Sequence, residues 1–131
     1  IRAYYFNKMP ENLRDQFAKN YDLTPNTIKN KLYREENPNT YLASFARFLI
    51  ENKSNEYFKE IIFKGLERFI DYQILQYDDF SSVDVHYVGS IAYYLQDEIT
   101  RIGKKYNLKT GKFIKRPIEG LVDYHKRNIL K

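Results

Sequence analysis

The residues able to do chemistry are few, and their spacing narrows what that chemistry is. His86 and His125 are far apart in the chain, and neither has a carboxylate at ligand spacing. A metal centre needs three or four convergent donors, so neither histidine reads as a metal ligand. The acidic pairs Glu35-Glu36, Asp78-Asp79 and Asp97-Glu98 are adjacent in sequence. In regular structure neighbouring side chains diverge, so these pairs read as solvated charge and not as an acid and base converging on a substrate. Gly103-Lys104-Lys105 and Gly111-Lys112 lack the G-x-x-x-x-G-K-[ST] frame of a phosphate loop. With no Cys anywhere, thiol catalysis, disulfides and Cys-based zinc sites are excluded. No catalytic residue and no metal ligand is assigned from these types and spacings.

Two local arrangements remain. The first is Val85-His86-Tyr87-Val88-Gly89-Ser90-Ile91-Ala92-Tyr93-Tyr94, a β-branched alternating run, a Gly-Ser turn and the start of a helical pattern. A strand that ends in Gly lets backbone approach a flat ligand closely. This strand-Gly-Ser-helix segment is therefore a candidate binding turn, although many α/β turns share the pattern without touching a ligand. The second is Leu13 to Tyr33, two short helices meeting at Tyr21-Asp22-Leu23-Thr24. The second of these helices carries Asn26, Thr27, Lys29, Asn30 and Lys31, which suits a recognition helix in a helix-turn-helix. The same pair serves equally as a packing unit, and Glu11, Asp15 and Asp22 lie on or beside its first helix.

The elements that position these residues follow from apolar spacing. Pro10 with Leu13, Phe17 and Ala18 predicts a helix ending near Tyr21, and Thr24 as cap with Pro25 at the first position predicts a second, bearing Ile28, Leu32 and Tyr33. Asn37-Pro38-Asn39 is expected to break it. A third helix from Thr40 through Leu49 and a longer one through Ile74 follow, and Gly65 inside the latter predicts a close helix crossing. Beyond the polar loop at Asp78 to Ser82, the pattern changes to a strand over Val83 to Val88, one helix from Ile91 to Ile102, a strand over Lys112 to Lys115 and a helix from Pro117. The expected organisation is a helical subdomain over 1–80 and a β-α-β-α segment over 81–131, forming one structural unit of an α-rich α/β class.

The chain has 131 residues, 43% of them hydrophobic and 17% aromatic, with a net charge of +5. That is ample material for a core, and no apolar run approaches the roughly 18 residues a membrane span needs. A cytoplasmic location without membrane association is the expectation. From Arg101 onward there are 10 Lys or Arg against 2 acidic residues, whereas the first 100 residues are slightly acidic. A basic tail can track phosphates or simply face solvent. Combined with Thr24 to Lys31, it makes a nucleic-acid-binding module the alternative reading of function.

Four stretches taken together carry a resemblance. They are Lys8-Met9-Pro10-Glu11-Asn12-Leu13 with Phe17 and Tyr21, then Asn39-Thr40-Tyr41-Leu42-Ala43-Ser44-Phe45-Ala46 with Phe48-Leu49, then Val88-Gly89-Ser90-Ile91-Ala92-Tyr93, and finally Pro117-Ile118-Glu119-Gly120-Leu121 with Tyr124-His125. In order and separation they resemble the C-terminal part of the BadF-type ATPases, in the branch similar to N-acetylglucosamine kinases, which has the actin-like, ribonuclease H-like fold. The resemblance implies an ATP-dependent sugar kinase whose lobes close over nucleotide, with Val88, Gly89, Ser90 and Ile91 as the adenosine-contacting turn. Many relatives in that superfamily have two glycines at this turn, and here Gly89 stands alone.

The resemblance also implies what lies elsewhere. The family's Gly-rich phosphate loop, general-base Asp and sugar-binding residues have no counterpart in these residues, so the expectation is a fragment of a longer two-lobed chain. Such a fragment would not be catalytic by itself, because phosphoryl transfer depends on positioning and electrostatic stabilisation of the transferred group. ATP and magnesium are the implied cofactors of the complete protein, an amino sugar reached through the other lobe is the implied substrate, and a homodimer is expected of the isolated piece.

Overall fold

The computed structural model describes residues 1–129 and divides into two compact units, residues 1–58 and 59–131. Leu130 and Lys131, which the expected tail includes, lie outside the described residues.

The first unit is helical throughout. α1 (Arg2–Tyr5) closes with Asn7 in the left-handed region, so that the Asn7 and Lys8 N–H groups donate back to the Tyr4 and Ala3 carbonyls. α2 (Glu11–Asn20) starts directly after Pro10 and buries Leu13 and Phe17. α3 (Pro25–Tyr33) begins where the sequence predicts, with the Thr27 N–H donating to the Thr24 hydroxyl and Pro25 at the first helical position. Met9, Leu13, Phe17, Leu23, Ile28, Phe48 and Phe58 form the core. The Phe17 ring sits at its centre, with the rings of Tyr4, Tyr21, Phe45 and Phe48 at 5.0 to 5.9 Å between centroids. These tilted and edge-on contacts each add about 0.5–1.5 kcal/mol beyond the area they bury.

The stretch expected as one helix from Thr40 is two, α4 (Pro38–Ser44) and α5 (Ala46–Glu51), and Pro38 opens the first instead of merely breaking what precedes it. The joint at Phe45 has a local cause. The Ser44 hydroxyl donates to the Tyr41 carbonyl at 2.6 Å, and the Phe45 N–H turns to Leu42 at 3.3 Å. A side chain competing for a helix carbonyl tightens the ladder there.

α6 (Glu56–Gln73) leads into the second unit, whose buried apolar residues include Ile62, Ile70, Ile74, Tyr87, Leu95, Ile99, Ile102 and Leu108. Gly65 does not mark a crossing, since a Cβ placed there would meet no atom within 4 Å. β1 (Asp84–Val88) is followed by α7 (Ser90–Tyr94), α8 (Gln96–Lys105), β2 (Lys109–Ile114) and α9 (Pro117–Asn128). The β-α-β-α order is as expected, but the helix predicted from Ile91 to Ile102 is interrupted at Leu95, whose side chain is buried at the joint. α8 carries Asp97 and Glu98 in its first turn and Lys104 and Lys105 in its last, matching charge to the helix dipole. It ends in the same left-handed turn as α1, with Asn107 at positive φ and the Leu108 N–H donating to the Gly103 carbonyl.

β1 and β2 pair in parallel, with Asp84 opposite Lys109, Val85 opposite Thr110, Tyr87 opposite Phe113 and Val88 opposite Ile114. Between Val85 and Tyr87 there is one residue on β1 against two on β2, so β2 carries a bulge at Gly111-Lys112. His86 closes it, with Nδ1 accepting the Lys112 N–H at 2.9 Å. Parallel pairs normally sit in sheets covered on both faces. Among the described residues this sheet has two strands only. No helix among the described residues is long and apolar enough to cross a membrane.

Candidate functional site

Ligands of open α/β sheets bind outside the carboxyl ends of parallel strands. In this chain that position is occupied by Val88 and Gly89 at the end of β1 and Ile114 at the end of β2. Val88 and Ile114 are register partners, so their side chains leave the same face of the sheet, opposite to that of the buried Tyr87. Val88 is 58% exposed, and Ile91 and Ile114 are also exposed. Three apolar side chains therefore surround the strand ends in solvent.

Gly89 lets the chain turn between them. Its φ of 114° and ψ of 161° lie in a region that is essentially restricted to glycine. Its N–H donates to the Ile114 carbonyl at 2.8 Å, adding one more rung beyond the paired strands, and its carbonyl accepts from Tyr93 to start α7. A Cβ at Gly89 would meet nothing within 4 Å. The turn thus presents bare backbone to open space, with Ser90 exposed beside it. All four residues singled out from the sequence come together at one sheet end.

Spacing alone did not disclose a second group beside α7. Lys115, just after β2, places its Nζ 4.5 Å from the ring centre of Tyr94 and 5.4 Å from that of Tyr93. A hydrogen bond from Lys115 and its positive charge, with a smaller effect from Arg116, hold the Tyr94 phenol below its ordinary pKa. The two tyrosines stand edge-on at 5.8 Å. Tyr93 and Tyr94 were visible as the end of the strand-turn-helix run, whereas Lys115 read only as part of a basic tail.

The other candidates are placed differently. His86 serves the β2 bulge, His125 lies exposed on α9, and among the described residues no three His, Cys, Asp or Glu converge as a metal site. In the front unit the expected helix pair forms, but two of its five polar residues are engaged locally. The Thr27 hydroxyl donates to Asp22 at 2.8 Å, and Lys31 pairs with Glu35 at 2.8 Å. The Asp22 carboxylate also accepts the Thr24 N–H, and these hydrogen bonds hold its pKa below the usual range. An anion thus caps the end of α3 that would approach a nucleic acid, leaving Asn26, Lys29 and Asn30 exposed.

No protein-family model matches the chain, and no curated protein matches it. Among solved structures it is similar to a protein of Porphyromonas gingivalis provisionally named an N-acetylglucosamine kinase. The two superpose with a TM-score of 0.85 at 28% sequence identity, over 96% of this chain and 44% of that one. The chain therefore spans less than half the length of the protein it matches, and its mostly helical fold with a small parallel sheet is that of part of a kinase-like structure.

Proposed function

We propose that the chain is the C-terminal, nucleotide-closing portion of an ATP-dependent sugar kinase similar to N-acetylglucosamine kinases, with the actin-like fold of the BadF-type ATPases. The observation that carries this reading is the superposition on the Porphyromonas protein along nearly all of these residues. The strand-end site supports it: bare backbone at Gly89 and exposed Val88, Ile91 and Ile114 suit the flat face of a purine. ATP supplies the phosphoryl group when bound. In this reading Gly89 admits the adenosine to backbone contact, Val88, Ile91 and Ile114 exclude water from the base, and the Ser90 hydroxyl offers a hydrogen bond.

Among the described residues no three His, Cys, Asp or Glu converge, so in this reading magnesium is held by the nucleotide phosphates and by the other lobe. In this reading the amino sugar is bound by the other lobe, and the present residues contribute nucleotide closure and not the transfer itself. The test is a transfer assay with the complete polypeptide encoded around this chain, supplied with ATP, magnesium and N-acetylglucosamine. The expected products are ADP and a sugar phosphate. ATP turnover that is indifferent to every amino sugar offered would refute the sugar kinase assignment.

A further inference from the structure

Lys31, Lys64 and Lys105 each meet a carboxylate at 2.6 to 2.8 Å, which offsets their charge. Lys115 is held differently. Its Nζ lies 4.5 Å from the ring centre of Tyr94 and 5.4 Å from that of Tyr93, and it donates a hydrogen bond to the Tyr94 phenol. A ring face attracts an ammonium through its quadrupole and leaves the positive charge in place, where a carboxylate would cancel it. The side chain is half-buried, so the two tyrosines hold a whole charge in one position instead of letting it sweep through solvent.

That position is tied to the candidate binding turn. The Gly89 N–H donates at 2.8 Å to the Ile114 carbonyl, which belongs to the peptide joining Ile114 to Lys115. The Gly89 carbonyl accepts the Tyr93 N–H at 3.1 Å, so the lysine and one of its rings are anchored through backbone to the same glycine. Arg116, the next cation, is exposed and faces Glu119 at 3.9 Å. We propose that Lys115, braced by Tyr93 and Tyr94, is the residue through which the strand-end site selects nucleotides over nucleosides, its charge attracting the phosphates while the turn holds the base. The inference rests on the nucleotide-binding reading above and goes beyond it, because the contacts offered by Val88, Gly89, Ile91 and Ile114 are uncharged and do not distinguish ADP from adenosine. A unit charge about 10 Å away through a water-like dielectric changes affinity by about twofold for each ligand charge, and salt screens the effect.

The test is a titration of the complete encoded polypeptide with adenosine, AMP and ADP, which share the base and differ in charge, followed through the amide signals of Gly89 and Ser90. Salt is kept low and magnesium is omitted, since it would cancel part of the ligand charge. Lys115→Met keeps the length of the side chain and removes the charge; it should weaken AMP by about fourfold and ADP by about eightfold, and leave adenosine within about twofold of its original affinity. Lys115→Arg should bind all three within about twofold of the unaltered protein, since a guanidinium also stacks on tyrosine. Tyr94→Leu, at a position 45% exposed and outside the core, should give a weaker form of the same charge-graded loss and add little to Lys115→Met. An equal loss for adenosine and ADP in Lys115→Met marks a structural role and overturns the proposal, as does ADP binding that Lys115→Met leaves unchanged. Tyr94→Leu that leaves ADP unaffected overturns the brace. Each of these outcomes leaves the nucleotide site standing, whereas an unaltered polypeptide whose Gly89 and Ser90 signals ignore all three ligands removes the site and the inference together. Charge-graded binding without sugar phosphorylation keeps Lys115 in its role and removes the kinase reading.

Discussion

Replacing Gly89 by alanine separates backbone strain from crowding, because the space around it is open. A Cβ at this position meets no atom within 4 Å, yet φ is 114° and ψ is 161°. Holding a non-glycine residue in that region costs about 1–3 kcal/mol, against about 0.4–1 kcal/mol recovered because alanine restricts the unfolded chain. The net expectation is a loss of about 1–2 kcal/mol. With a urea slope of about 2 kcal/mol/M, the unfolding midpoint should fall by about 0.5–1 M. Gly65→Ala is the matched control, since Gly65 also faces open space but in the middle of α6. There alanine should stabilise by up to about 1 kcal/mol through helix propensity. The same chemical change thus has opposite signs at the two sites. In the complete polypeptide, Gly89→Ala should also weaken adenine nucleotide binding, by about fivefold if as little as ~1 kcal/mol of the turn's geometry is lost. Gly89→Ala that raises the midpoint as Gly65→Ala does would refute the strain argument.

Three further outcomes follow from individual contacts. A Cβ on Gly111 would collide with His86 Nδ1 and come within 2.6 Å of Cε1, so Gly111→Ala should swing the exposed ring out and lose the bond from Lys112 N–H. Gly111→Ala and His86→Ala should then each cost about 1 kcal/mol in urea unfolding, and the double variant little more than either alone; full additivity would contradict the shared bond. Asp22 has a folded pKa held below its unfolded value by the Thr24 and Thr27 hydrogen bonds, so its contribution is present above the unfolded value and lost as pH falls through the folded one. The midpoint deficit of Asp22→Ala should accordingly be largest near neutral pH and shrink in acid, and a deficit independent of pH would exclude this linkage. Lys115→Met should raise the alkaline titration of Tyr94, followed through the ring signal of a site-specifically labelled Tyr94, whereas an unchanged curve would remove Lys115 as the cause.

What was legible in the sequence was what depends on neighbours along the chain. Thr24-Pro25 and Pro117 each start a helix where a cap or a fixed φ directs it, and Val83 to Gly89 reads as a strand meeting a turn because alternation and glycine are local signals. The failures are of two kinds. Gly65 was expected to admit a second helix, but nothing approaches it, because glycine in a helix pattern reports permissiveness and not a neighbour. The Ser44 bond to Tyr41 that divides the third expected helix is a choice of rotamer, which periodicity does not register. The β2 bulge and the Lys115 contacts with Tyr93 and Tyr94 depend on strand register across a crossover, so β2 begins at Lys109 instead of Lys112 and a lysine counted as tail charge turns out to face two tyrosines.

The measurement that bears most directly on the central claim is the amide spectrum of the complete polypeptide, titrated with ATP and magnesium. The signals of Gly89, Ser90 and Ile91, with those of Ile114 and Lys115 beside them, are expected to shift along one saturation curve as the base binds at the strand ends. Saturating nucleotide that leaves Gly89, Ser90 and Ile91 unmoved, while signals elsewhere in the polypeptide shift, would contradict it.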